Sequence, residues 1–183
     1  AAQLVPQIRA RAPAVHRVIG RAFFLTAILA SLTGLYMTWA RHTGGLIGSI
    51  AITLDAAVIL VCSTLAWTKA RSRDFAAHRR WALRAFLVAN GVWFLRVGVA
   101  PVAMAIKLLH GPDSAVETWF LIWNFGAYLV PLAVLELYFR AKATTAPGPK
   151  FAMAGALVAA SLLMSMGVVG AWFGFFAPVL ARL

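Results

Sequence analysis

A chain of 183 residues that is 62% hydrophobic and only 12% charged, with a mean hydropathy of +0.84, lies far from the composition of a water-soluble globular domain. Its 17 Lys and Arg against five Asp and Glu give a formal net charge of +12, a balance that ordinarily raises nucleic acid as a partner. The basic residues flank apolar runs, however, where the positive-inside rule and anionic phospholipid headgroups account for them, so nucleic-acid binding is excluded and a lipid bilayer is the expected surrounding.

The chain opens with Arg9 and Arg11 but no apolar core before Pro13. The start therefore does not read as a cleavable signal peptide and looks like the end of a longer segment. Five apolar runs follow, at roughly 18–39, 45–67, 81–106, 116–139 and 151–178, each about long enough for a hydrocarbon core of about 30 Å. They predict an all-α, polytopic transmembrane helix bundle with four or five spanning helices, forming a single membrane domain over 1–183.

The third run is interrupted by Arg84, Arg96, Pro101 and Lys107. It is expected to span as far as about Ala100 and to continue as a short interfacial piece. The last run reads either as a span or as a helix packed at an interface. Pro13, Gly44-Gly45, Asp74 and Pro147-Gly148-Pro149 are start and break signals between runs. Trp39, Trp67, Trp81 and Trp119 fall near run ends, as amphipathic aromatics do at the headgroup level. The single cysteine, Cys62, sits inside an apolar run and offers neither a disulfide framework nor zinc-ligand spacing.

If every run crosses, one face collects Arg9, Arg11, Arg17, Arg21, Lys69, Arg71, Arg73, Arg79, Arg80, Arg84, Arg140, Lys142 and Lys150, leaving Arg41, Arg96, Lys107 and Arg182 for the other. The arginine-rich face is then expected to be cytoplasmic.

Two histidine-arginine blocks stand on that face. His16-Arg17 with Arg21 opens the first run, and His78-Arg79-Arg80 with Arg84 opens the third. Paired imidazoles at similar depth are what a b-type heme with two axial histidines needs, and Arg17, Arg21 and Arg84 could hold its propionates at the membrane surface. The plainer reading makes both histidines interfacial cap residues and leaves the arginines to lipid phosphate and topology.

Asp55 in the second run and Arg96 in the third read as an intramembrane ion pair, or with Asn90 and Asn124 as a proton or substrate path. Glu136, near the end of the fourth run, is an anionic partner for the arginines or an orienting acceptor for a histidine. His42 and His110 read as turn histidines. The sequence contains no Gly-rich phosphate loop, no nucleophile elbow and no His-Glu-x-x-His, so soluble-enzyme chemistry is not supported.

At His78-Arg79-Arg80-Trp81-Ala82-Leu83-Arg84, followed by Leu95-Arg96 and Pro101, the chain resembles the bacterial multi-pass membrane family catalogued as domain of unknown function 2306. The blocks Leu4-Val5-Pro6 and Pro13-Ala14-Val15-His16-Arg17-Val18-Ile19-Gly20-Arg21 also look like that family, as does Glu136. Ala82 departs from the family's usual methionine. The resemblance covers roughly the first 140 residues and implies an upstream helix before the block at Leu4. It further implies that His16, Arg21, His78, Arg84, Arg96 and Glu136 belong to one recurring set, and it supplies no activity.

Three functions are therefore expected in order: a redox-associated membrane subunit binding heme b; a non-catalytic accessory subunit in contact with other membrane-protein subunits; and a small proton-coupled transporter using Asp55.

Overall fold

In a hydrocarbon solvent every backbone N–H and C=O must be satisfied within the chain, so long apolar runs become helices. The computed structural model describes residues 11–42, 45–111 and 116–173 and contains six helices and no strand among them. They are α1 (Pro13–Ala40), α2 (Gly45–Arg71), α3 (Phe75–Ala89), α4 (Gly91–His110), α5 (Val116–Ala143) and α6 (Pro147–Ala171). The all-α polytopic fold read from the apolar runs is the one observed. Arg9, Gly44, Asp113, Arg182 and the block at Leu4-Val5-Pro6 lie outside the described residues.

Among the described residues, four helices are long and apolar enough to cross a membrane: α1, α2, α5 from Thr118, and α6. At most 28% of each one's apolar window is buried by the rest of the protein. Helices apolar all round and so little covered need lipid, or other membrane proteins, against the remainder. The last run is thus long enough to span, in the part that α6 covers.

The third run differs from expectation. The chain breaks at Asn90, and α3 with the first part of α4 forms a pair bent by 49°, which makes a fifth span if the two count as one. Asn90 explains the position of the break. Its side-chain Nδ2 donates to Phe86 O at 2.7 Å, and its backbone N–H reaches Leu87 O at 3.2 Å, one residue short of the α-helical partner. Its own carbonyl then accepts from the N–H groups of Trp93 and Phe94, at 2.9 and 3.1 Å, and starts α4. Pro101, expected to end the span, lies inside α4. Proline has no N–H to donate, so the carbonyl of Val97, four residues earlier, loses its α-helical donor.

Contacts divide the chain into two compact units, Ala1–Ala85 and Phe86–Leu183. In the first, α1 and α2 form an antiparallel hairpin. The buried residues of α1 are Phe24, Ala27, Ser31 and Thr38. On α2, Gly48, Ser49, Ala51, Ala56, Cys62, Ser63 and Ala66 are buried with Ile59. Small side chains let two helices approach closely where lipid gives no hydrophobic drive to associate. Register is set at one end by Trp39, whose Nε1 donates to Thr53 Oγ1 at 2.9 Å. Towards the other end Phe24, Cys62, Ala66 and Ala85 form a cluster, with Trp81 and Ala82 packed against it, so the start of α3 closes over the hairpin.

In the second unit α4 packs on both α5 and α6, and α5 also touches α6. Trp123 of α5 lies over Gly98 of α4 and over Gly126 of its own helix. Its Nε1 donates to Phe94 O at 3.2 Å, and its ring stacks on Trp119 at 5.5 Å between centroids. Gly167 of α6 is buried directly against the Val97 carbonyl. That carbonyl is the one Pro101 deprives of a helical donor.

Candidate functional site

Proline at the first position starts α1, where its missing N–H costs nothing. Helix α3 starts differently: Asp74 Oδ1 accepts from the Ala77 N–H at 3.1 Å, an N-cap that satisfies one of the orphan donors of the first turn. Asp74 also pairs with Lys69 at 3.6 Å, both side chains well exposed, which ties the cap to the end of α2. Both helices therefore begin before the apolar runs do. His16 and His78 are each the fourth residue of their helices rather than residues outside them.

Both histidines are half-buried. They belong to the first unit and lie at the same end of it, because α1 begins, α2 ends and α3 begins there. The His78 ring is fixed by a bond between Nδ1 and the Ala66 carbonyl oxygen at 2.8 Å. A carbonyl oxygen only accepts, so Nδ1 carries the hydrogen, and in the neutral ring Nε2 keeps the lone pair. Metal-ligating histidines are commonly oriented in this way, one ring nitrogen donating to a backbone carbonyl while the other binds.

The arginines of the same end divide by burial. Arg17 and Arg21 are exposed on α1, and Arg84 is half-buried with its guanidinium 4.5 Å from the centre of the Trp81 ring. That cation–π contact holds Arg84 close to the cluster of Phe24, Cys62, Ala66 and Ala85. Trp81 and Trp119, read from the sequence as headgroup anchors, also pack within their own units, Trp81 against that cluster and Trp119 on the ring of Trp123.

Asp55 stands apart from these residues, in the half of α2 nearer Gly45. It is half-buried, and its Oδ1 is buried with no hydrogen-bond partner among the described residues. Arg96 is exposed on α4 and Glu136 half-buried on α5, both in the second unit. Asn90 donates its side-chain amide to Phe86 O of the preceding helix α3, and Asn124 donates its own to Phe120 O one turn back on α5, at 2.7 Å each. Among the described residues no three or more His, Cys, Asp and Glu side chains gather at one place.

A carboxyl group placed in a membrane-spanning helix costs about 2.5–3.5 kcal/mol on insertion scales, and Asp55 recovers none of this through a hydrogen bond at Oδ1. Asp55→Leu is therefore expected to raise stability by about 1–3 kcal/mol in detergent unfolding. A clear loss of stability would show instead that the carboxyl group holds the hairpin together.

Sequence reasoning missed Trp123 as a residue that assembles the second unit, and it reads Gly98 and Gly167 only as two among several glycines that let helices approach closely, without singling them out. It also missed the Ala66 carbonyl, which orients His78. None carries a local signal, since each acts only through a partner on another helix.

No curated protein and no solved structure is found to match the chain. The family model described as Predicted membrane protein (DUF2306) matches residues 1–139. The chain belongs to that family, in agreement with the resemblance read from its His-Arg blocks.

Proposed function

We propose that the protein is a redox-associated membrane subunit whose first unit binds a b-type heme through His78 and His16. The observation that carries this reading is the bond from His78 Nδ1 to Ala66 O, which leaves the Nε2 lone pair available on a ring already fixed in orientation. A heme b held by two imidazoles supplies one-electron transfer.

The chain's own residues have distinct tasks in this reading. His78 is the pre-oriented ligand, and His16, in the first turn of α1, is the second. Arg17 and Arg21 hold carboxylates at the headgroup level, while Arg84, packed on Trp81, adds a fixed positive charge closer to the core. By the positive-inside rule the site faces the cytoplasm of a bacterial inner membrane, and a partner subunit in the same bilayer exchanges the electron.

The test is extraction of the prosthetic group into alkaline pyridine from full-length chain purified after heme-replete expression. One heme b per chain is the expected result, and protein folded and free of heme overturns the proposal.

A second reading, a non-catalytic accessory subunit, is favoured by α6. Only 11% of its apolar window is buried within the protein, the least of the four spans. Co-purification of a heme-free chain with other membrane-protein subunits would support it.

A further inference from the structure

The end of α5 and the start of α6 flank an open groove of about 340 Å³ lined by Tyr138, Ala141, Lys142, Lys150, Met153, Ala154 and Leu157. Its lining is ordered along the helix axes. Lys150, Met153, Ala154 and Leu157 follow the spacing of one helical face, which runs inward from the loop end of α6. At about 1.5 Å per residue, Leu157 lies about 10 Å deeper than Lys150. On α5, Tyr138 sits one turn inside Lys142, and Arg140 adds a third cation at the same end.

The groove is therefore cationic at its mouth and apolar below it. Neither lysine is tied to a carboxylate among the described residues, and both are exposed. The matching ligand carries a phosphate and a hydrocarbon chain in that order. We infer that this groove is a binding site for one anionic glycerophospholipid, its phosphate between Lys142 and Lys150 and an acyl chain along Met153, Ala154 and Leu157. The volume accommodates the phosphate, the glycerol and the top of one chain, and the rest of the lipid stays in the bilayer. Basic pockets between membrane helices hold lipid headgroups by this combination of charge and apolar wall.

The experiment is native mass spectrometry of the delipidated full chain titrated with phosphatidylglycerol or phosphatidylcholine. One phosphatidylglycerol is expected to be retained, with a preference of about tenfold over phosphatidylcholine. Lys142→Gln with Lys150→Gln is expected to abolish that preference, while Arg41→Gln, just after α1 in the first unit, leaves it unchanged. Ala154→Leu, which fills the apolar wall and keeps both charges, is expected to weaken retention at unchanged helix content. Equal retention of the two lipids, an unaffected double variant, or displacement of the lipid by excess inorganic phosphate would overturn the assignment. The last result would identify a site for a free anion.

Discussion

Gly167→Val is expected to cost about 3 kcal/mol or more of stability in detergent, measured by the loss of helical circular dichroism on heating. A Cβ at residue 167 would enter the space of the Val97 carbonyl oxygen and carbon, backbone atoms of α4 that cannot swing aside as a flexible side chain can. The two helices would have to separate, and α4 could not move from α6 without disturbing its packing on α5. The carbonyl concerned is also the one left without a helical donor by Pro101, so close approach by a glycine fits the two helices together at the point where α4 is least able to satisfy itself. Gly155, on the same helix, is the control, because a Cβ added there would meet nothing within 4 Å. Gly155→Val is expected to leave the melting curve in place, and equal curves for both variants would contradict the packing described.

The second large effect is expected at Trp123. Its ring fills the space above Gly98 and Gly126, stacks on Trp119 at 16° between planes, and donates to Phe94 O. Trp123→Ala removes all of these and leaves a cavity between α4 and α5 with two glycines on its floor, so a loss of about 3–5 kcal/mol is expected. Trp123→Phe keeps part of the ring but not the donor, and is expected to fall between the wild type and the alanine variant. If the alanine variant melts with the wild type, Trp123 is not the wedge that holds α4 to α5.

The four long spans are legible in the sequence because membrane helices advertise themselves by uninterrupted hydropathy. The runs at roughly 18–39, 45–67, 116–139 and 151–178 correspond in order to α1, α2, α5 and α6. The helices extend past most run ends, since His16 and Arg17, Lys69 and Arg71, or Arg140 and Lys142 continue the backbone ladder into the headgroup region, where charge is no longer penalised. Asp74 is legible too, as a capping residue with a mechanism.

The break in the third run is not where the sequence places it. Proline is the conspicuous residue, yet α4 runs on through Pro101, whereas Asn90 replaces a backbone bond with a side-chain one and starts a new helix on its own carbonyl. The glycines are visible but indistinguishable. Gly167 and Gly155 look alike in sequence, and only the presence of Val97 against one of them separates a packing position from a lipid-facing one. The candidate site is legible as residue types, His16, His78 and their arginines. The orientation of His78 is not, because it depends on the α2–α3 turn bringing the ring to the Ala66 carbonyl twelve residues back in the chain.

The most direct test is an absorption spectrum of the detergent-purified full chain after heme-replete expression, oxidised and then dithionite-reduced, with His16→Ala and His78→Ala beside it. A bis-histidine heme predicts a Soret band with a sharp reduced α band in the wild type, lost in both variants while their helix content is kept. A flat spectrum for folded wild-type protein, or bands unchanged in either variant, would contradict it.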